Sequence, residues 1–326
     1  MRKILLPVFL IVLMVFFSSC GSQGAEQKVD NESISIVTTI FPEYDWVKAI
    51  LGDNPANAEV TMLMDSGVDL HSFQPASEDM VTIANCDLFI YVGGESDEWV
   101  ESALEEAAND DIVVLNLMDI LENDVKEEEL IEGMEAEEEQ EGETEEGPEY
   151  DEHVWLSLKN AETICRAIEE KLAEIDPENT QTYEANLSDY EQQLESLDQR
   201  YQDVVAAAPV KTLLFGDRFP FRYMTEDYAL DYYAAFVGCS AETEASFETI
   251  RFLAEKVDEL DLSCVMTIEG SDQKIAETIV SSTKTQDQKI LMLNSMQSIT
   301  SDETDGDVSY ISIMEDNLKV LEEAMQ

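Results

Sequence analysis

The architecture of this chain is set by residues 176–209, which have the sequence DPENTQTYEANLSDYEQQLESLDQRYQDVVAAAP. Apolar residues recur there at alternating steps of four and three: Tyr183, Leu187, Tyr190, Leu194, Leu197, Tyr201 and Val204. This spacing predicts one long amphipathic helix, with Asp176 as its N-cap and Pro177 at its first helical position. About 30 residues at 1.5 Å each span roughly 45 Å. A coiled-coil segment has the same spacing, but the flanking patterns favour a strut within one molecule.

Short β-branched runs alternate with amphipathic stretches on both sides of this helix. Strands are predicted at 34–40, 59–64, 88–92 and 112–115, and again at 212–215, 232–236, 263–268 and 290–293. Helices are predicted at 43–51, 77–84, 97–108, 247–260 and 273–282. This alternation predicts an α/β fold of two lobes, each a parallel sheet with flanking helices. The lobes are placed at 34–175 and 209–326, joined by the linking helix at 176–208, with a ligand crevice at the carboxyl ends of the strands.

The N-terminal end is typical of an exported lipoprotein. Arg2 and Lys3 precede an apolar run at 4–17 that is shorter than the ~20 residues of a membrane span. The sequence FSSCG at 17–21 predicts that residues 1–19 are a signal peptide and that Cys20 becomes the lipidated N-terminus. An ordinary signal peptide with an incidental cysteine is the alternative. Residues 20–33 are predicted to carry the lipid and to form a flexible tether.

The charge of the chain excludes one class of partner. The sequence holds 73 acidic and 18 basic residues, a formal net charge of −55. Such a field repels nucleic acid and attracts cations, so no nucleic-acid partner is expected. Within 122–152 there are 17 acidic residues and one lysine, which predicts a disordered loop. This loop is either a solvated spacer or a dynamic arm that collects cations.

Four cysteines follow Cys20, and none forms a CxxC pair: Cys86, Cys165, Cys239 and Cys264. A structural zinc knuckle is therefore unsupported. An extracytoplasmic location permits a disulfide, and a Cys239–Cys264 bond is one hypothesis because both lie beside strands of the same half. Four free thiols are the alternative.

The chain contains two histidines, and each follows a distinctive motif. His71 lies in GVDLHSFQP (67–75), in a loop after a predicted strand, and His153 lies in YDEHVWL (150–156), where the acidic segment ends. Neutral imidazole is the commonest metal ligand. A lone histidine is more often a polar surface residue, so composition alone leaves their role open.

Several motifs together resemble the zinc- and manganese-binding lipoproteins of ABC importers, in particular their zinc-binding branch (the ZnuA- and TroA-like cluster). They are VTTIFPEYDWVKAILGD (37–53), MDSGVDLHSFQPAS (64–77), DEHVWLSLKNA (151–161), GCSAETEAS (238–246) and TIEGSDQKIAETI (267–279). The resemblance runs from about residue 36 to the C-terminus and implies two α/β lobes on a long backbone helix. It implies metal ligands at His71, His153 and Glu269, and an ABC-transporter permease as partner of a monomeric binding protein.

One departure from the family pattern concerns its third ligand, which normally follows the strand that opens the second lobe. Here the stretch is LLFGDRFPFRYM (213–224), and the equivalent position is Gly216. Asp217 could replace the missing side chain as a carboxylate ligand. Alternatively, Asp217 pairs with Arg218 or Arg222 and water completes the site.

The metal and the function follow from these ligand types. Two imidazoles and one or two carboxylates suit tetrahedral Zn²⁺ and are also acceptable to Mn²⁺; the Irving–Williams order favours zinc. A protein that captures the metal for an importer is the main hypothesis, and a surface adhesin with a structural metal is the alternative. No HExxH, GxSxG, Walker or Rossmann motif is present in the sequence, so no enzymatic activity is expected.

Overall fold

The structure is a computed structural model that describes residues 33–109, 111–135, 149–240, 244–304, 306 and 308–326. Residues from Ser33 to Gln326 form one compact unit. The predicted signal peptide, Cys20 and most of the tether lie outside the described residues. Among the residues described, no helix is both long enough and apolar enough to cross a membrane.

The first lobe is built on a four-stranded parallel sheet with the order β2-β1-β3-β4. Its strands are β1 Ser35–Thr38, β2 Glu59–Met62, β3 Leu88–Tyr91 and β4 Val113–Asn116. Ile36 of β1 contributes to one hydrophobic cluster and its neighbour Val37 to another, because successive side chains of a strand point to opposite faces. Both residues are fully buried, so helices cover both faces of the sheet. The helices of this lobe are α1 Phe41–Leu51, α2 Ser77–Ile83, α3 Trp99–Glu105, α4 Leu117–Leu121 and α5 Leu158–Ile175.

The second lobe repeats this plan with the strand order β6-β5-β7-β8, again parallel. Its strands are β5 Thr212–Phe219, β6 Asp231–Val237, β7 Cys264–Ile268 and β8 Lys289–Leu293. Strand β5 is longer than predicted, and its register against β6 shifts between Phe215 and Arg218. The long linking helix is α6 Thr180–Ala207. The later helices are α7 Arg222–Tyr228, α8 Phe247–Leu260, α9 Lys274–Ser282, α10 Ser301–Thr304 and α11 Tyr310–Ala324.

Helix α6 contacts both halves of the molecule. The Asn186 side-chain amide donates to the carbonyl of Ile50 in α1 over 2.8 Å. The Tyr201 hydroxyl donates to the carbonyl of Met314 in α11 over 2.7 Å. The predicted architecture, two parallel-sheet lobes joined by one long helix, is confirmed.

Two details of the predicted helix are wrong. Asp176 ends α5 instead of capping α6, because the residue before a proline is disfavoured in the helical region; its side chain accepts hydrogen bonds from Asn179 and Tyr183. The last core residue of α6 is Val205, not Val204. A helix with 3.6 residues per turn drifts by ~20° per heptad against a 3.5-residue pattern, so the buried face moves on by one position.

The prediction of a disordered loop at 122–152 is wrong for its two flanks, while 136–148 lie outside the described residues. Glu127 forms a β-bridge with Tyr150, and Glu135 forms one with Phe236 of the second lobe. The Glu128 carboxylate accepts from the backbone N–H of Cys239 over 3.1 Å. These flanks stay in place because their backbone and carboxylates bond to ordered partners, which composition does not reveal.

The Cys239–Cys264 disulfide hypothesis is also wrong, since all four cysteines after Cys20 are free thiols. Cys264 is the first residue of β7, whereas Cys239 lies beyond the last residue of β6. Both strands run in the same direction, so the two thiols lie at opposite ends of one sheet. A strand of five residues spans roughly 16 Å, whereas a disulfide requires Cα atoms within about 7 Å.

Candidate metal centre

His71 is positioned by the turn that follows β2. It lies in a short 3₁₀ turn, Leu70–Ser72, whose N-cap is Asp69. The Asp69 carboxylate accepts from the His71 backbone N–H over 3.1 Å through Oδ1 and binds the Arg218 guanidinium over 2.7 Å through Oδ2. Arg218 belongs to β5, so an ion pair between the lobes holds the turn that carries His71.

His153 is held more rigidly, by a single neighbouring carboxylate. Asp151 Oδ1 accepts from both the backbone N–H and the Nδ1 of His153, each over 2.9 Å. This bond places the ring proton on Nδ1 and leaves the Nε2 lone pair free, the arrangement found for metal-bound histidines. The ring is fully buried and lies 5.3 Å from the indole of Trp155, centroid to centroid.

The two imidazoles converge. His71 Nε2 lies 3.1 Å from His153 Nε2, although the residues are 82 positions apart in sequence. Two Zn–N bonds of ~2.0–2.1 Å at a tetrahedral angle place the nitrogens about 3.3 Å apart, so a shift of a few tenths of an ångström admits the ion. On its other side, His71 Nδ1 lies 2.8 Å from Ser96 Oγ and 3.4 Å from Glu152 Oε2.

The surroundings shift the pKa values of the two imidazoles in opposite directions. Burial, and then the positive charge of a protonated His153, lowers the pKa of His71 to about 3. Burial also acts against protonation of His153, but the Asp151 charge and hydrogen bond outweigh it and raise the His153 pKa. His71 therefore offers a lone pair throughout the physiological range, and a proton competes with a metal ion for His153.

Glu152 adds negative charge beside the pair. Its Oε1 accepts from the Ser96 backbone N–H over 2.9 Å, and its buried Oε2 has no hydrogen-bond partner among the described residues. Gly94, with φ of +83°, makes this placement possible because a Cβ there would overlap the Glu152 carboxylate. Burial raises the pKa of Glu152, although hydrogen bonds from Ser96 oppose the effect.

A third side chain that could bind a metal lies beside the two imidazoles, and no sequence motif pointed to it. The ligand atoms of His71, His153 and Cys239 all lie within 4.8 Å of one another. Among the described residues, this is the one group of three or more histidine, cysteine or carboxylate side chains at such mutual distances. Burial, followed by the nearby carboxylates of Asp151, Glu128 and Glu152, raises the pKa of the Cys239 thiol well above its usual value.

Gly216, where the sequence motifs place the family's third ligand, has no room for a side chain. A Cβ built there would lie 2.7 Å from the Cα and 2.9 Å from the backbone nitrogen of Ala276. Real Cβ atoms do not approach other atoms so closely, and Ala276 belongs to α9. The glycine therefore reflects the close packing of α9 on β5.

Glu269 and Asp217, the predicted carboxylate ligands, line a cavity of about 510 Å³ together with Asp69 and Arg218. Both Glu269 oxygens are engaged: Oε2 accepts from the Ser295 N–H, and Oε1 accepts from the Ser295 hydroxyl and the Gln297 N–H, over 2.7–3.1 Å. Neither carboxylate belongs to the group of ligand atoms within 4.8 Å. The structure thus brings the two histidines together and leaves Glu269 and Asp217 at the cavity wall.

The alternative in which Asp217 pairs with an arginine is wrong. Arg218 binds Asp69 instead, and Arg222 binds Glu226 and Glu129. Asp217 accepts backbone hydrogen bonds from Arg218 and Ile268. The Arg218 guanidinium instead binds Asp69 of the first lobe, and it also donates to the Ser240 carbonyl of its own lobe over 3.3 Å.

Comparisons with known proteins agree with this architecture. The family described as zinc-uptake complex component A, periplasmic, matches residues 36–324. The zinc-binding lipoprotein AdcA of Streptococcus pneumoniae is 29% identical over 312 residues; the match covers 95% of this chain and 58% of AdcA. The high-affinity zinc uptake system protein ZnuA of Bacillus subtilis is 27% identical, with 94% of this chain and 93% of ZnuA covered.

A solved structure extends the comparison to the fold. The Zn(II)-bound ZnuA-like domain of Streptococcus pneumoniae AdcA superposes with a TM-score of 0.69 at 26% identity, covering 90% of this chain and 99% of that domain. The present chain spans about three fifths of the length of full AdcA. Because the family match extends over nearly all of the compact unit from Ser33 to Gln326, the chain belongs to the zinc-uptake complex component A family.

Proposed function

We propose that this chain captures one zinc ion outside the cytoplasm and delivers it to the membrane permease of an ABC importer. The observation that carries the proposal is the convergence of two imidazole Nε2 atoms at 3.1 Å. The Asp151 carboxylate holds the Nδ1 of His153 on the side away from the other ring. Family membership and the zinc-binding relatives support the same function.

In this proposal His71 and His153 are the permanent ligands of the first lobe. Glu269 supplies a carboxylate from the second lobe when the crevice narrows around the ion, and Asp217 is a second candidate at the same wall. Both acids line the cavity beside Asp69, whose carboxylate caps the turn of His71, and in this proposal closure of the crevice brings a carboxylate to the rings. Glu269 would then exchange hydrogen bonds from Ser295 and Gln297 for a bond to the metal.

Zinc is favoured over manganese by the ligand chemistry. Two buried imidazoles match the nitrogen-rich tetrahedral sites of zinc, whereas manganese prefers more oxygen ligands and a higher coordination number. The Irving–Williams order also places zinc far above manganese at a shared site. Manganese is the alternative cargo, and competition between the two ions at equal concentration separates these possibilities.

The location follows from the sequence motif and the family. We infer that Cys20 carries a lipid that anchors the chain to the outer face of the cell membrane, and that the chain acts as a monomer that docks on its permease. A Cys20→Ser variant should leave the membrane fraction when cells are fractionated. Retention of this variant in the membrane would contradict the anchor.

Elemental analysis of the full-length chain purified in detergent tests the metal site. We expect about one zinc per chain, and His71→Ala and His153→Ala should each weaken binding by roughly a hundredfold, or about 3 kcal/mol. Asp272→Asn is a matched control, because this acid lines the same cavity but is exposed and paired with Lys274. Full zinc occupancy in both histidine variants would refute the site.

A chelator experiment separates the importer function from the adhesin alternative. A transported ion must be released without loss of the fold, whereas a structural ion is lost only as the protein unfolds. We expect that a chelator removes the zinc while the circular dichroism spectrum of the chain stays unchanged. Unfolding on removal would favour a structural metal.

A further inference from the structure

We propose that Cys239 is the third metal ligand of this chain, a thiolate from the second lobe that replaces the side chain missing at Gly216. This inference rests on the proposed zinc capture. Its first support is the cluster itself, in which the Cys239 sulfur and the two imidazole ligand atoms lie within 4.8 Å of one another. Tetrahedral zinc with Zn–S of ~2.3 Å and Zn–N of ~2.0–2.1 Å places sulfur about 3.6 Å from each nitrogen. A movement of about an ångström therefore completes the geometry.

The backbone around Cys239 is built for this close approach. Gly238 lies against the imidazole of His153, since a Cβ at this glycine would be 3.0 Å from the ring Cε1 and 3.1 Å from Nδ1. A larger residue at 238 would push the end of β6 away from the ring. Cys239 therefore reaches the histidines because the residue before it has no side chain.

Two contacts that involve carboxylates fix the segment after β6, which carries Cys239, against the first lobe. The Glu128 carboxylate accepts from the Cys239 N–H. Arg218 donates to the Ser240 carbonyl and at the same time binds Asp69, which caps the turn of His71. The thiol and the imidazole thus belong to loops that are fastened to each other across the crevice.

The charge around the cluster supplies a second, independent indication of a bound cation. Glu152 Oε2 is buried, lies 3.4 Å from His71 Nδ1 and has no hydrogen-bond partner among the described residues. Asp151 and Glu128 also lie beside the cluster. A buried acceptor without a donor is costly, and a dication beside these carboxylates offsets that cost.

Coordination of zinc by Cys239 releases one proton. The S–H bond of Cys239 breaks, its proton passes to solvent, and the sulfur lone pair forms the bond to zinc. Two neutral imidazoles and one thiolate leave a single positive charge on the complex, which a carboxylate such as Glu269 neutralises in the fourth position. Because a thiolate is a soft ligand, this set favours zinc over manganese more strongly than a carboxylate would.

X-ray absorption at the zinc edge of the full-length, reduced chain tests the assignment. We expect one sulfur scatterer at about 2.3 Å beside nitrogen or oxygen scatterers at about 2.0–2.1 Å. Cys239→Ser should remove the sulfur signal and weaken zinc binding by at least about a hundredfold, since loss of an outer-shell partner alone costs about 10–100-fold. Cys264→Ser, at the far end of the same sheet, is the matched control and should keep both.

Replacement of zinc by Co²⁺ gives a second test of sulfur ligation, which does not depend on the zinc affinity. With Co²⁺ in place of zinc, thiolate ligation gives a sulfur-to-metal charge-transfer band in the near ultraviolet, which should be present in the parent and in Cys264→Ser and absent in Cys239→Ser. A zinc-loaded parent whose edge spectrum lacks sulfur would overturn the Cys239 assignment while zinc capture stands. A parent that binds no zinc would overturn both.

Discussion

Asp151→Asn tests whether the metal affinity depends on how His153 is held. The Asp151 carboxylate is buried and accepts from both the backbone N–H and Nδ1 of His153 at 2.9 Å. The asparagine amide has nearly the same shape, so the substitution removes the charge and permits the ring to carry its proton on Nε2. A neutral ring protonated on Nε2 has its lone pair on Nδ1, so it offers none at the Nε2 atom that faces His71.

The expected loss of zinc affinity is about 10–100-fold, the usual effect of removing an outer-shell partner of a metal-bound histidine, or roughly 1.4–2.7 kcal/mol. The fold should survive, because the Asp151 backbone is held separately. Its N–H donates to the Lys126 carbonyl, and its carbonyl accepts from the Tyr223 hydroxyl over 2.7 Å. The substitution leaves both of these bonds intact.

Competition titrations against a zinc indicator at neutral pH provide the assay. Asp87→Asn is the matched control, since its carboxylate also accepts from a backbone N–H, that of Ser35, over 2.8 Å. Asp87 precedes β3 and therefore lies at the end of the sheet opposite to the histidines. If Asp151→Asn binds zinc within about twofold of the parent, or if Asp87→Asn loses as much, the carboxylate does not position His153.

Three further predictions concern Gly216, His153 and the buried carboxyl group of Asp97. Gly216→His should not create a ligand: its Cβ would press on the Ala276 backbone, so thermal unfolding should show a loss of about 1–3 kcal/mol with no gain in zinc affinity. Zinc affinity, titrated from pH 8 to 5, should fall as the pH drops below the raised pKa of His153, at a higher pH than for an ordinary histidine near ~6.5; a flat profile would exclude imidazole ligation. Burial raises the pKa of Asp97 to about 7, so the folded state binds this proton more tightly than the unfolded chain and loses stability as the pH rises from ~4 to 7. Asp97→Asn should therefore raise the free energy of unfolding by roughly 1–4 kcal/mol at pH 8 and by little near pH 4. Equal effects of the substitution in unfolding measurements at both pH values would contradict this.

The sequence predicts the fold well because the elements that define it are locally encoded. The strands of parallel sheets are buried on both faces and appear as continuous apolar runs, and each predicted run overlaps an observed strand. Helix α8 begins and ends at the predicted residues, Phe247 and Leu260. The start of α6 was misplaced because Asp-Pro is compatible both with the first turn of a helix and with the turn that ends one.

The site was less predictable because its geometry is set by distant contacts. The motifs identify His71 and His153, but their 3.1 Å approach depends on the packing of two loops. For Cys239, the sequence suggests only a disulfide bond and not a role as a metal ligand. The proximity of Cys239 to His153 depends on where β6 ends. The neighbouring Gly238 is the one local sequence feature connected with this contact, but its closeness to the His153 ring is visible only in the structure.

The two lobes contribute to the site in different ways. In the first lobe, Asp151 and Asp69 hold the histidine-bearing loops through local hydrogen bonds, so the protein itself fixes both imidazoles. In the second lobe the candidate groups lie on different strands, with Asp217 in β5, Cys239 after β6 and Glu269 after β7. The packing of α9 on β5 leaves no space for a side chain at Gly216, whereas the segment after β6 places Cys239 near the rings. The proposed ligand set thus keeps both histidines and takes its third ligand from the segment after β6 instead of from β5.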